Sequence, residues 1–158
     1  MNNKTYVVAD THLGHRKASF FRPFPTLEEH DRHVIERWNS VVRKKDTVWH
    51  LGDVFFGGKD NHVILEQLNG YKHLVLGNHD QYPLEVYQKH FHKIVAGYQY
   101  DGCILTHIPI HPNQFYRYRL NIHGHTHDKF IDGDDRYKCV SLEQINYTPV
   151  LLREITKK

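Results

Sequence analysis

The chain has 158 residues, 39% of them hydrophobic and 25% charged, with a net charge of +3. That is the mass of one domain, 1–158, around a single core. The mild charge does not by itself indicate a nucleic-acid surface, and no apolar run approaches the ~20 residues of a membrane span.

Thr5 to Ala9 is a short β-rich run ending at Asp10-Thr11-His12. A helix follows, because Thr26 and Glu29 form a capping box and Leu27, Val34, Ile35, Trp38, Val41 and Val42 recur at helical spacing. Thr47 to His50 reads as a strand leading into Gly52-Asp53. The pattern predicts a second helix from about Asn61 to Leu68, stopped by Gly70. His73 to Leu76 is a strand leading into Gly77-Asn78-His79-Asp80, and a third helix is expected after Pro83, with Leu84, Tyr87 and Phe91 on one face. Beyond residue 93 strands dominate. Cys103 to Thr106 runs into His107, and Asn121 to His123 runs into Gly124-His125-Thr126-His127. Early strand–helix alternation followed by a β-rich half predicts an α/β fold with no linker or repeat. Cys103 and Cys139 form no C-x-x-C and are expected to be reduced and buried. With no apolar leader after Met1, this predicts a soluble, cytoplasmic protein.

Five strand-like runs therefore deliver potential metal ligands at their C-terminal ends, where α/β proteins place sites. Carboxylates, imidazoles and one amide oxygen suit borderline divalent cations, and no thiolate is among them. Two such ions roughly 3.5–4 Å apart can clamp the attacking and leaving oxygens of a phosphate ester. Side chains alternate along an extended chain, so Asp10 and His12 are expected to point the same way, as are His125 and His127. Histidine is abundant, at 15 residues, and most of those outside these segments read as surface positions.

In order, the segments match D-x-H, G-D, G-N-H-[DE], H and G-H-x-H, and the chain resembles the calcineurin-like metallophosphoesterases over residues 10 to 127. Further shared features place it near a small bacterial and phage type: Leu13-Gly14-His15, Arg22-Pro23-Phe24, Trp38-Asn39, His50-Leu51 and Tyr147-Thr148-Pro149-Val150. The resemblance implies two facing mixed β-sheets flanked by helices, a four-layer sandwich with metals at one rim. It implies that one ion takes Asp10, His12 and His127, the second Asn78, His107 and His125, and that Asp53 bridges them. It makes His79 the proton donor to the leaving oxygen, oriented by Asp80, with in-line attack by a metal-bound hydroxide.

In purple acid phosphatases a tyrosine ligand to ferric iron lies three residues after the bridging aspartate. Here that position is Phe56, so Mn2+ is expected, with Fe2+, Co2+, Ni2+ and Zn2+ as alternatives. His15 and Arg22 are candidates for substrate contact, and His50 and His123 for hydrogen bonds that orient ligands. Phe115 to Arg119 interleaves rings and cations, and reads equally as a nucleotide-stacking surface or as a packed rim loop. His111 falls between Pro109 and Pro112 and reads as loop. The expected function is hydrolysis of a small phosphoester, a phosphodiester or nucleotide. A nuclease is the alternative within that chemistry, and an inactive protein-binding scaffold the alternative outside it. Oligomeric state and the physiological substrate are not encoded in these patterns.

Overall fold

The protein is described from a computed structural model over residues 3–157. Nine strands make two mixed sheets. The larger contains β1 (Thr5–Val8), β2 (Thr47–His50), β3 (Tyr71–Val75), β4 (Phe91–Val95) and β9 (Val150–Leu151), ordered β4-β3-β2-β1-β9. Strands β1 to β4 pair in parallel and β9 pairs antiparallel with β1. The smaller contains β5 (Tyr98–Tyr100), β6 (Cys103–Leu105), β7 (Leu120–His123) and β8 (Tyr137–Cys139) in that order, with only β5 antiparallel.

Period-two alternation sorts the larger sheet's side chains into two cores. Tyr6, Val8, Val48 and Leu74 face one way and join Val34 and Trp38 of α1 (Leu27–Val41). Val7, Trp49, Leu51 and Val75 face the other way and meet Cys103, Leu105 and Ile122 of the smaller sheet. Both faces of the larger sheet are thus buried, as expected of parallel strands. The outer face of the smaller sheet carries Asn121 and His123, covered by the loop through Ile110 and a short 3-10 helix, Pro112–Tyr116. Phe115 packs edge-on to Tyr137 there, with the Arg136 guanidinium 4.1 Å from its ring centre. Phe115 is thus packed, whereas Tyr116 is 78% exposed with Arg117 over its ring, and none of residues 115–119 lines the cleft beside the metal-type ligands. His111 caps this 3-10 helix by accepting from the Asn113 amide.

Helix α1 begins as its sequence requires, with Thr26 Oγ1 accepting from the Glu29 amide. The second predicted helix is a nine-residue 3-10 helix, Lys59–Gln67. Asp60, Asn61, His62, Val63 and Ile64 are poor α-formers, and the segment is tied at both ends. Asn61 Nδ2 donates to Phe56 O at 2.7 Å, and at the far end Asn39 and Trp38 of α1 donate to Gln67 O and Asn69 O. The larger rise of a 3-10 helix spans those fixed points. The third helix, α2 (Leu84–Gln88), stops before Phe91, which opens β4. A last helix, α3 (Leu152–Ile155), follows β9 directly. Both cysteines are free; Cys103 is buried, whereas Cys139 is only half-buried, because it sits on the smaller sheet's last strand. No helix among the described residues is long and apolar enough to cross a membrane.

Candidate metal centre

All seven candidate ligands come together at the rim where the two sheets end. β1, β2 and β3 lead to Asp10 and His12, Asp53 and Asn78; β6 and β7 lead to His107, His125 and His127. Ligand atoms of Asp10, His12 and His127 lie within 4.8 Å of one another, as do those of Asp10, Asp53 and His107. Asn78 Oδ1 stands 2.9 Å from His107 Nε2 and 3.0 Å from His125 Nδ1. Donors held ~2.1 Å from a common ion, at right angles, are separated by about 3 Å, so both distances from Asn78 Oδ1 suit neighbours in one coordination shell.

The backbone that achieves this is not the extended one expected from sequence. Asp10, His12, Asp53, His125 and His127 have φ of 58°, 49°, 57°, 69° and 51°. This left-handed region is sparsely used outside glycine, although Asp and His enter it more readily than most. Each motif curls as it leaves its strand, and that curl, not pleat alternation, turns the i,i+2 pairs inward. Backbone bonds fix the curls to one another: Asp10 N to Gly52 O, His12 N to Asp53 O, and Gly124 N to His107 O. Gly77 packs so closely beneath Asp53 that a Cβ would lie 2.3 Å from its Oδ1, and one on Gly124 would lie 2.6 Å from Asp10 Oδ2.

The polar atoms fit a cation. Asp10 Oδ2 is occupied by the His125 amide and the Ser141 hydroxyl, at 2.9 and 2.6 Å. Asp10 Oδ1 and both ring nitrogens of His12 are buried with no hydrogen-bond partner among the described residues, a costly state that a bound ion would relieve. Asp53 Oδ1 accepts from the His79 amide, while Oδ2 lies 3.7 Å from His12 Nε2 and 3.5 Å from His107 Nε2. A single oxygen of Asp53 thus faces both groups. His107 Nδ1 bonds Leu51 O and His127 Nδ1 bonds Glu143, which turns each Nε2 toward the cluster.

Two expected roles change. Asp80 does not hold the His79 ring. Its carboxylate is buried and accepts the amides of Val54, Asp53 and Gly77, fastening the second motif to the third. Desolvation raises its pKa. Arg22 does not face substrate either. It is buried at 3% exposure, and its guanidinium is spent on Asp10 O, Thr11 O, the His30 ring and Glu143. His15 does line the cleft, with its ring against Phe56 and Phe21, and burial lowers its pKa. Phe56 stacks on His12 at 4.9 Å, so no phenol reaches the site. His50 behaves as expected: its ring meets Thr11 Oγ1, and its Nδ1 accepts from the Gly52 amide. The His123 ring, by contrast, bonds its own neighbour, Gly124 O, and stands edge-on to Tyr137.

Glu143 is the residue that sequence reasoning misses. Its Oε1 joins Arg22 and His127 at 2.8 and 3.1 Å across 121 and 16 positions of chain, which no local pattern could signal. Burial would raise its pKa, but His127 and Arg22 together bring it down to about 2. The bond to Glu143 in turn raises His127. Asp53 also lies at about 2, because His107 outweighs the effect of its own burial. The cleft above these groups has a volume of about 570 Å3 and is walled by His12, His79, His125 and His127, with Phe21 and Lys129 at its mouth. Another cavity, about 560 Å3, lies at the opposite end of the larger sheet between Lys4, Arg43 and Arg153; its one carboxylate, Asp46, is committed to the Lys4 and Arg43 amides.

The calcineurin-like phosphoesterase superfamily domain matches residues 4–143, and the chain belongs to that superfamily. It is 34% identical to the uncharacterized protein MJ1445 of Methanocaldococcus jannaschii, over 98% of this chain and 90% of that one. The crystal structure of AQ665 from Aquifex aeolicus, a protein of unknown function, superposes with a TM-score of 0.77 at 27% identity over 98% of each chain. An archaeal phosphodiesterase shares the fold, with a TM-score of 0.51 at 21% identity over 87% of this chain and 82% of that one.

Glu143→Gln should keep the fold and weaken metal binding 10–100-fold, the usual effect of losing a carboxylate behind a ligand histidine. Titration of the metal-free protein with Mn2+ reads this, and unaltered affinity would refute the role. A pH prediction follows from burial, which lowers His12 to about 4 and His50 to about 3 in the metal-free chain. Groups whose folded pKa is depressed contribute stability above the unfolded value, here about 6.5, and lose it as pH falls through the folded value. Urea unfolding of the metal-free chain should therefore weaken between about pH 6.5 and 4, and less steeply in His50→Gln. Equal slopes would mean that His50 is not held neutral by the fold.

Proposed function

We propose, from membership of this superfamily, that the chain hydrolyses phosphate esters with a pair of divalent ions, and that phosphodiesters are its preferred substrates. The observation that carries the reading is the rim cluster itself, in which two carboxylates, four imidazoles and one amide converge around unpartnered buried atoms. Asp10, His12 and His127 would hold one ion, Asn78, His107 and His125 the other, and Asp53 both. Mn2+ is the expected metal, with Fe2+, Co2+, Ni2+ and Zn2+ as alternatives that nitrogen and oxygen donors also serve. When bound, such ions polarise the phosphoryl oxygens and lower the pKa of water.

The chain's own groups do the rest. The His79 backbone amide holds Asp53 Oδ1, which anchors its side chain beside the cluster. Its ring is exposed in the cleft and makes no hydrogen bond among the described residues, so it is available to give a proton to the leaving oxygen. Asp80 supports this indirectly, by fixing the loop that carries His79. The buried, fully committed Arg22 favours a diester. A dianionic monoester would gain from a guanidinium at the phosphate, and among the residues lining the cleft only Lys129 carries a fixed positive charge.

The reading is tested with a phosphodiester and a phosphomonoester bearing the same leaving group. Exhaustive chelation should abolish turnover of both, Mn2+ should restore it best, and kcat/KM should favour the diester. Turnover by verified metal-free protein would sink the metal assignment, and a tenfold advantage for the monoester, about 1.4 kcal/mol, would reverse the preference. His79→Ala should lose about 10²–10⁴-fold in rate and keep its metal, whereas Asp53→Asn should lose both. Metal loss from His79→Ala would make that residue a ligand.

A further inference from the structure

We propose that Phe21 is a stacking platform for a nucleobase, making the substrate of this site a nucleoside-bearing phosphodiester. The inference rests on the phosphodiesterase reading above. Phe21 lines the mouth of the metal cleft and is 48% exposed, while Phe20 beside it is 82% exposed. The exposed Phe21 ring, at a site lined by imidazoles and a carboxylate, suits a partner that is both flat and attached to an anion. Single apolar residues on a surface are unremarkable, but this one is built in. The Arg22 guanidinium sits 5.4 Å from its ring centre, on a side chain buried to 3% exposure. The rings of His12, His15 and His127 stand edge-on to it at 6.1, 6.0 and 5.7 Å.

The backbone is equally fixed. The Phe21 and Arg22 amides both donate to Ala18 O, closing the 3-10 turn Ala18–Phe20 that presents the ring. A preorganised ring loses little entropy when it stacks. Two of the imidazoles it touches, His12 and His127, are proposed ligands of one ion. A phosphate held there is next to Phe21, within the reach of a single sugar. Lys129 also lines the cleft, giving a cation for a second phosphate or for the rest of the nucleotide. Ring stacking with flanking cations is how bases are held without sequence preference. The sequence offered the same composition at Phe115–Arg119, but none of that segment lines the metal cleft.

The test compares thymidine 5′-(4-nitrophenyl phosphate) with methyl 4-nitrophenyl phosphate, which share the reacting phosphorus and leaving group and differ in the nucleoside. With the Mn2+-loaded protein, kcat/KM should favour the nucleoside ester by at least tenfold. That ratio should collapse toward one in Phe21→Ala and Phe21→Leu and return in Phe21→Trp, since leucine keeps apolar bulk without a π-face. A wild-type ratio near one, or a ratio indifferent to Phe21→Ala, overturns the inference and leaves the phosphodiesterase reading standing. If neither ester is turned over, that reading fails instead. Binding then decides the platform alone: thymidine 5′-monophosphate should bind at least tenfold tighter than methyl phosphate, and equally in Phe21→Ala. Equal binding of the two by the wild-type protein would refute it.

Discussion

Five backbone turns into the left-handed region, at Asp10, His12, Asp53, His125 and His127, are the constraint around which this molecule is organised. Such a conformation costs an ordinary residue on the order of 1–2 kcal/mol, and it persists only where the surroundings over-determine it. The surroundings here are explicit. Asp80 accepts three amides from two different motifs, Arg22 takes the carbonyls of Asp10 and Thr11, and Ser141 and the His125 amide hold one oxygen of Asp10. The ligand loops are bonded directly to one another. Local folding and the chemistry of the rim are therefore one problem with one solution.

The same network settles the charges. Arg22 and Glu143 form a buried pair beneath the cluster, and buried pairs stabilise little by themselves once desolvation is counted. Their role is directional. Glu143 accepts a hydrogen bond from His127 Nδ1, and Arg22, bonded also to His30, keeps Glu143 ionised. Because His30 in turn contacts Asp31, which accepts the Gly14 amide, the chain of partners runs from α1 under the first motif to the last.

Much of this was legible in the sequence, and the reasons differ by residue. Strand ends were readable because β-branched runs stop at Gly and Asp, so the placing of Asp10, Asp53 and Asn78 at the rim followed from period and punctuation. Thr26 and Glu29 announced α1 through a purely local bond. Glu143 and the true setting of Arg22 were not readable, since their partner relation spans 121 positions and neither lies in a periodic pattern. Asp80 illustrates a subtler failure: its neighbour His79 suggested a side-chain pair, whereas three unsatisfied amides formed by folding claimed the carboxylate first. The 3-10 geometry of residues 59–67 was equally hidden, because Asn39 and Trp38 on α1 set where that segment must end.

The seven converging side chains are divided between two sheets whose interface is largely apolar, Val7, Trp49 and Val75 against Cys103, Leu105 and Ile122, with hydrogen bonds crossing it at the rim, His107 Nδ1 to Leu51 O and the His125 amide to Asp10 Oδ2. Apolar packing between layers is non-directional, so it resists separation better than sliding. A cation shared by Asp53 from one layer and His107 from the other would act as a rivet at that rim, adding to the hydrogen bonds that already resist sliding there. The spacing between catalytic atoms and the mechanical stiffness of the sandwich would then be one property, set together when the ion binds.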